Sequence, residues 1–104
     1  MMKVIPTITA EEVRQKVESG QKIELIDVRE EEEVAEGMIP QAEHIVMGTI
    51  PENLDRLDKE TEYIIICRSG KRSENVSRYL IENGYKATNM TGGMLDYTGE
   101  IVPK

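Results

Sequence analysis

The fold class this sequence predicts is α/β, with a mainly parallel sheet flanked by helices on both faces. Two observations carry that prediction. Short strand-like runs (the Ile- and Val-rich Ile23–Val28 and Tyr63–Ile66, and Tyr85–Met90) alternate along the whole chain with segments of helical spacing, the order that builds strand–helix–strand units. The first two of these runs are apolar at nearly every position rather than at every second one, as strands buried on both faces require. The 104 residues form one domain, residues 1–104. A chain of that size buries about 60–70% of the surface its unfolded form exposes, enough for one core and one modest site.

The elements follow in order. Residues 3–8 read as an edge strand, because Pro6 is tolerated at a sheet edge and not at its centre. Thr9 and Glu12 have the spacing of a capping box opening a helix whose apolar face holds Val13 and Val17, and Gly20 ends it. Ile23–Val28 is a buried strand. Glu31–Glu36 makes a short helix stopped by Gly37, with the acidic run Glu30–Glu33 as its solvated first turn, where carboxylates favour the positive dipole end. Residues 39–42 turn the chain, and His44-Ile45-Val46 is a brief strand. Pro51 starts a helix that turns Leu54 and Leu57 inward. Tyr63–Ile66 is the central strand. Ser73 or Glu74 opens the helix carrying Val76, Tyr79 and Leu80, and Gly84 closes it. Tyr85–Met90 is the last strand, and Gly92-Gly93 precedes a turn of helix around residues 94–97.

Composition narrows the function. The net charge is −7, which argues against nucleic acid or an anionic membrane as the partner. No apolar run approaches the roughly 20 residues of a membrane span. The N-terminal Met1-Met2-Lys3-Val4-Ile5-Pro6 lacks the apolar stretch of a signal peptide, so a cytoplasmic location is expected. With no Trp and no Phe, the core falls to Ile, Val, Leu, four Tyr and the six Met as filler. One cysteine allows neither an internal disulfide nor a metal site built from several thiolates, and neither metal nor cofactor is expected. It also leaves no resolving thiol, so anything loaded on Cys67 must leave to an outside acceptor.

That cysteine opens the most informative stretch, Cys67-Arg68-Ser69-Gly70-Lys71-Arg72-Ser73. A lone cysteine ending an apolar run is most often a small buried hydrophobe. A purely structural turn, however, gains nothing from crowding Arg68, Lys71 and Arg72, which repel one another unless an anion or thiolate lies among them. Cations and a helix N-terminus stabilise the thiolate, the form that reacts. The strand-to-helix turn also aims the N–H groups of residues 69–73 inward, a nest for an anion. Ligands of open α/β sheets bind beyond the carboxyl ends of the strands, where Cys67 stands.

Two anion chemistries suit such a loop. Cysteine-dependent phosphatases place an arginine six positions after the cysteine, where this chain has Ser73; its arginine, Arg72, comes one position earlier. The ring is shorter, so its pocket suits a single sulfur better than a phosphoryl group. No general acid is obvious, with Asp27 and Asp96 left open as candidates.

The chain resembles the rhodanese-like, single-domain sulfurtransferases. The resemblance runs from about Ile23 to Tyr97 and rests on Leu25-Ile26-Asp27-Val28-Arg29-Glu30, Gly37-Met38-Ile39-Pro40-Gln41-Ala42, the Cys67–Ser73 loop, and Gly84-Tyr85 followed by Gly92-Gly93. It implies a three-layer fold with a five-stranded sheet and a six-residue active loop, Cys67 to Arg72. In that loop Cys67 would take a sulfane sulfur from a small anionic donor such as thiosulfate. The persulfide would pass the sulfur to cyanide, a thiol or a protein acceptor. The remaining loop residues, Arg68, Ser69, Gly70, Lys71, Arg72 and Ser73, would bind substrate. Where the family usually has His, Gly and Trp, this chain has Met38, Gln41 and Tyr97, which read as packing changes. The classical two-domain thiosulfate enzymes have Lys where Ser69 stands and Arg where Glu33 stands. Thiosulfate is therefore less firmly indicated than the reaction type. A sulfur-carrier module docking a protein partner is the alternative; a phosphatase or arsenate reductase ranks lower.

Beyond the loop, Asp27 and Arg29 are candidate supports, although a mutual ion pair holding strand end to turn is the favoured reading. His44, the only histidine, reads as satisfying a local hydrogen bond. Gly92 and Gly93 permit a tight turn near the site or simply end the last strand.

Overall fold

A computed structural model describes residues 4–104. Five strands form one wholly parallel sheet: β1 (Thr7–Thr9), β2 (Glu24–Asp27), β3 (Ala42–His44), β4 (Glu62–Ile66) and β5 (Lys86–Thr91), in the spatial order β1-β5-β4-β2-β3. The helices are α1 (Ala10–Glu18), α2 (Glu31–Glu36), α3 (Lys71–Glu82) and α4 (Gly93–Asp96), with 3₁₀ turns at Met47–Thr49 and Pro51–Arg56.

The alternation of side chains along each strand divides the core in two. On one face Ile26, Tyr63, Ile65 and Ala87 pack with Val76 and Leu80 of α3, with Leu54 of the second 3₁₀ turn and with Leu57 just after it. On the other, Leu25, Ile64, Ile66 and Met90 pack with Val13 of α1 and with Tyr97 beyond α4. Both faces are covered, which is why the central strands carry no polar face.

Local signals set most boundaries. The Thr9–Glu12 capping box forms as expected, each side chain satisfying the other's backbone N–H. α2 spans Glu31–Glu36 and ends at Gly37, as the acidic run and the glycine imply. Some boundaries move. The expected first strand began at residue 3, which lies outside the described residues; the strand observed is Thr7–Thr9, running straight into the N-cap of α1. The expected strand at residues 44–46 lies two positions earlier, at Ala42–His44, although the Ile45 N–H still reaches the Asp27 carbonyl. α3 opens at Lys71 rather than Ser73 or Glu74, because Gly70 takes a left-handed N-cap conformation (φ 105°) and lets the helix start at once. Met38 and Met90 are core residues as expected, whereas Met47 is exposed.

Candidate active site

Cys67 is the first residue past the central strand β4, and three residues separate it from α3. That turn is tight only because Gly70 has a positive φ. The turn brings the Gly70 N–H to 3.0 Å from Cys67 Sγ. Burial pushes the Cys67 thiol up, but hydrogen bonds from the Ser73 side chain and from the amides of Ser73, Gly70 and Ser69 outweigh it. The net result lies below the ordinary thiol value. Cys67 is only 1% exposed, deeper than a residue at the mouth of a strand would be, and it joins the apolar cluster on the α3 face of the sheet.

The second wall is the glycine pair. Gly92 and Gly93 both have positive φ, and a Cβ on Gly93 would lie 2.6 Å from the Cys67 carbonyl oxygen and overlap the Arg68 carbonyl as well. Only glycine lets α4 come this close. Its Met94 N–H then donates to the Cys67 carbonyl (2.9 Å) and its Leu95 N–H to the Arg68 carbonyl (3.0 Å). Of the two readings of the pair, the tight turn beside the loop is the one observed, and the glycines do more than end β5.

The third wall is a side-chain chain absent from the sequence reading. Ser73, fully buried, places Oγ 3.2 Å from Cys67 Sγ and donates to Asn89 Oδ1; Asn89 Nδ2 donates to the Gly70 carbonyl at 3.1 Å. One signal could have found Asn89. It shares a strand face with Ala87, which points at α3, so a polar residue there sits in an apolar layer.

The cations divide. Arg68 and Lys71 are exposed with Ser69 around the turn. Arg72 instead makes a bidentate ion pair with Glu33 of α2, at 2.7 and 2.8 Å. Glu33 is therefore not merely part of a solvated first turn. The Arg72 hydrogen bonds, together with the Glu30 backbone, hold its carboxyl down at about 2. The anion lying against Arg72 is thus a carboxylate of the chain itself.

Asp27 and Arg29 form a buried pair: Arg29 Nη2 reaches Asp27 Oδ2 at 2.8 Å and the Gly37 carbonyl at 2.8 Å. Their hydrogen bonds lock the β2–α2 turn to itself and do not extend to the Cys67 loop. His44 Nε2 meets the Arg29 carbonyl at 2.7 Å, a local hydrogen bond that braces the same turn. Among the described residues, no group of carboxylates, histidine and cysteine could hold a metal ion.

Comparison with known proteins agrees with this geometry. The family model described as "Rhodanese-like domain" matches residues 9–100. The chain is 55% identical over 100 residues to "Putative sulfurtransferase YtwF" of Bacillus subtilis (strain 168), covering 96% of this chain and 97% of that one. It is 39% identical over 97 residues to "Putative sulfur carrier protein YrkF" of the same organism, covering 92% of this chain but 52% of that one. Among solved structures, a rhodanese-like domain protein from Staphylococcus aureus superposes with a TM-score of 0.90 at 40% identity, covering 96% of this chain and 99% of that one.

Proposed function

This chain belongs to the rhodanese-like domain family, whose role is sulfur transfer, and we propose that it performs that transfer through a persulfide on Cys67. In the first half-reaction the Cys67 thiolate attacks the outer sulfur of a donor. With thiosulfate, the S–S bond to the sulfonate breaks, sulfite leaves with the electron pair, and the negative charge moves to the terminal sulfur of the persulfide. In the second, cyanide, a thiolate or a protein thiolate attacks that terminal sulfur and restores the Cys67 thiolate. No redox partner is needed, because each step exchanges one sulfur–sulfur or sulfur–carbon bond for another.

The observation that carries this reading is the buried Cys67 at the head of the turn, with the Gly70 N–H directed at its sulfur and the amides of Ser69 and Ser73 also favouring the thiolate. Fixed N–H dipoles in a water-poor cup stabilise a sulfur anion without reorganising. Phosphoryl transfer fits poorly. The position where an arginine would cradle phosphate is Ser73, turned inward and hydrogen-bonded to Asn89, and Asp27 is committed to Arg29 rather than free as a general acid.

A specific feature favours a carrier-like variant of the same chemistry, with sulfur delivered by a protein partner. Arg72 is neutralised by Glu33, which leaves Arg68 and Lys71 as the exposed cations of the loop for drawing in a small dianion. Incubation with thiosulfate followed by intact-mass measurement tests the core reading. The expected result is a one-sulfur adduct that vanishes in Cys67→Ala; no adduct from thiosulfate or from any persulfide donor, or an adduct that survives Cys67→Ala, would sink it.

A further inference from the structure

The Ser73 hydroxyl has one proton and two neighbours that want it. Cys67 Sγ lies 3.2 Å away, and Asn89 Oδ1 lies on another side. The orientation of the Asn89 amide is not arbitrary. The Gly70 carbonyl can only accept, so the Asn89 NH₂ group must face it, and the amide oxygen must therefore face Ser73. A carbonyl oxygen cannot donate, so the Ser73 hydroxyl proton lies on the bond to Asn89. With its proton so placed, Ser73 offers the sulfur only a lone pair. A thiol can donate into that lone pair; a thiolate is repelled by it unless the hydroxyl turns.

We propose that Asn89 is a positioning residue for Cys67: it holds the Ser73 hydroxyl toward itself while the cysteine is protonated, and releases it toward the sulfur when the cysteine ionises. The functional meaning of this relay rests on Cys67 being the sulfur-accepting atom; the relay itself does not. Ionisation costs the Ser73–Asn89 hydrogen bond and gains one from Ser73 to the thiolate. Removing the Asn89 oxygen removes the competitor, so the thiolate form becomes easier to reach. Loading has the complementary consequence. Once the charge sits on an outer sulfur facing the loop amides, the inner sulfur no longer attracts the hydroxyl, which returns to Asn89.

The charged groups around the sulfur are Arg68, Lys71 and Arg72 on its own loop and helix, with Glu33 and Glu30 behind Arg72 on α2. Beyond them lie the Asp27–Arg29 pair at the end of β2 and Asp96 on α4, whose carboxylate folds back over Gly92. An Asn89→Leu substitution changes none of these charges; it also takes a donor from the Gly70 carbonyl, a loss common to the wild-type and Ser73→Ala backgrounds, so the difference between the two backgrounds isolates the relay.

The test is the pH dependence of iodoacetamide alkylation, unambiguous because Cys67 is the only cysteine. It is run on the wild type, Asn89→Leu, Ser73→Ala and the double variant. A competing neutral hydrogen bond is worth a factor of roughly two to ten in such an equilibrium. Asn89→Leu is therefore expected to raise the thiolate fraction two- to tenfold at a fixed pH on the rising limb, over and above any change it makes in the Ser73→Ala background. No change, a fall, or an equal change in both backgrounds would overturn the relay. Should Asn89→Leu fail to fold, the wild type itself carries the test through the NMR resonances of the Asn89 side-chain amide. They must move with pH at the same midpoint as alkylation, and must stay still in Ser73→Ala; a stationary wild-type amide overturns the proposal. Neither measurement uses a sulfur donor, so the absence of an adduct from thiosulfate and from every persulfide donor would sink the sulfur-transfer reading while leaving this result standing.

Discussion

Replacing Glu33 by glutamine should make the loop more receptive to anionic reagents, and the size of the change follows from the geometry. Glutamine keeps an oxygen to accept the Glu30 N–H, so the cap of α2 survives, but it removes one negative charge from beside Arg72. Arg72 feels both Glu33 and Cys67, and a separation on the order of 9 Å between that carboxylate and a reagent at the sulfur is taken for the Coulomb energy. With an effective dielectric constant of about 60, between the protein-surface and bulk-water values, each unit charge there is worth about 0.6 kcal/mol. The rate ratio of iodoacetate to iodoacetamide should therefore rise about threefold, because only the first reagent carries a charge. For dianionic thiosulfate the gain doubles to about 1.2 kcal/mol, or about eightfold in kcat/KM. Competitive alkylation above the Cys67 midpoint, read by mass spectrometry, measures the first ratio free of any change in thiolate fraction. Raising ionic strength to about 1 M, where the screening length is about 3 Å, should erase the difference. An unchanged ratio at low salt would refute the claim that Glu33 screens the loop's positive charge.

Further outcomes follow from the same contacts. Because the Glu33 carboxyl is held at about 2 against an ordinary 4.5, the pair's contribution is complete above about pH 4.5 and is lost as pH falls toward 2. Urea midpoints of the wild type and Glu33→Gln should therefore differ at pH 7 and converge near pH 2. Gly93→Ala drives a methyl into the Cys67 and Arg68 carbonyls at a positive φ. Left-handed strain and overpacking together cost about 3 kcal/mol, expected to lower Tm by more than about 10 °C and to speed alkylation of the uncovered sulfur. Arg29→Met strands the fully buried Asp27 carboxylate and should cost about 3–5 kcal/mol in urea unfolding, most of it recovered in Asp27→Leu/Arg29→Met; no recovery would mean the turn needs the ion pair's shape as well as its charge balance.

What was legible in the sequence divides by the range of the interaction. Thr9 and Glu12, Gly37 after the acidic run, and the apolar run ending at Cys67 each announce themselves within a few residues, because caps and strand ends are local chemistry. Cys67, Gly70 and the glycine pair could be placed at one end of the sheet from strand direction alone. Glu33 could not be assigned to Arg72, because 39 residues separate them and nothing in an acidic run says which carboxylate turns toward another element. Asn89 escaped for a related reason: its meaning depends on a serine and a carbonyl supplied by a different segment. The helix start at Lys71 depended on a φ that glycine permits but does not require. Local sequence thus marks the proposed nucleophile, and tertiary contacts reveal what surrounds it.

Three features outside the cysteine-bearing turn act on it, from two stretches of chain: the first turn of α2, and the end of β5 with its inward Asn89 running on into the glycine pair. None belongs to the turn bearing the cysteine, and each governs a different quantity, respectively the electric field at the entrance, the pull on one hydroxyl, and the room left above a carbonyl. A protein engineer could therefore address donor preference, acidity or depth from positions outside the cysteine-bearing turn, leaving that turn itself untouched.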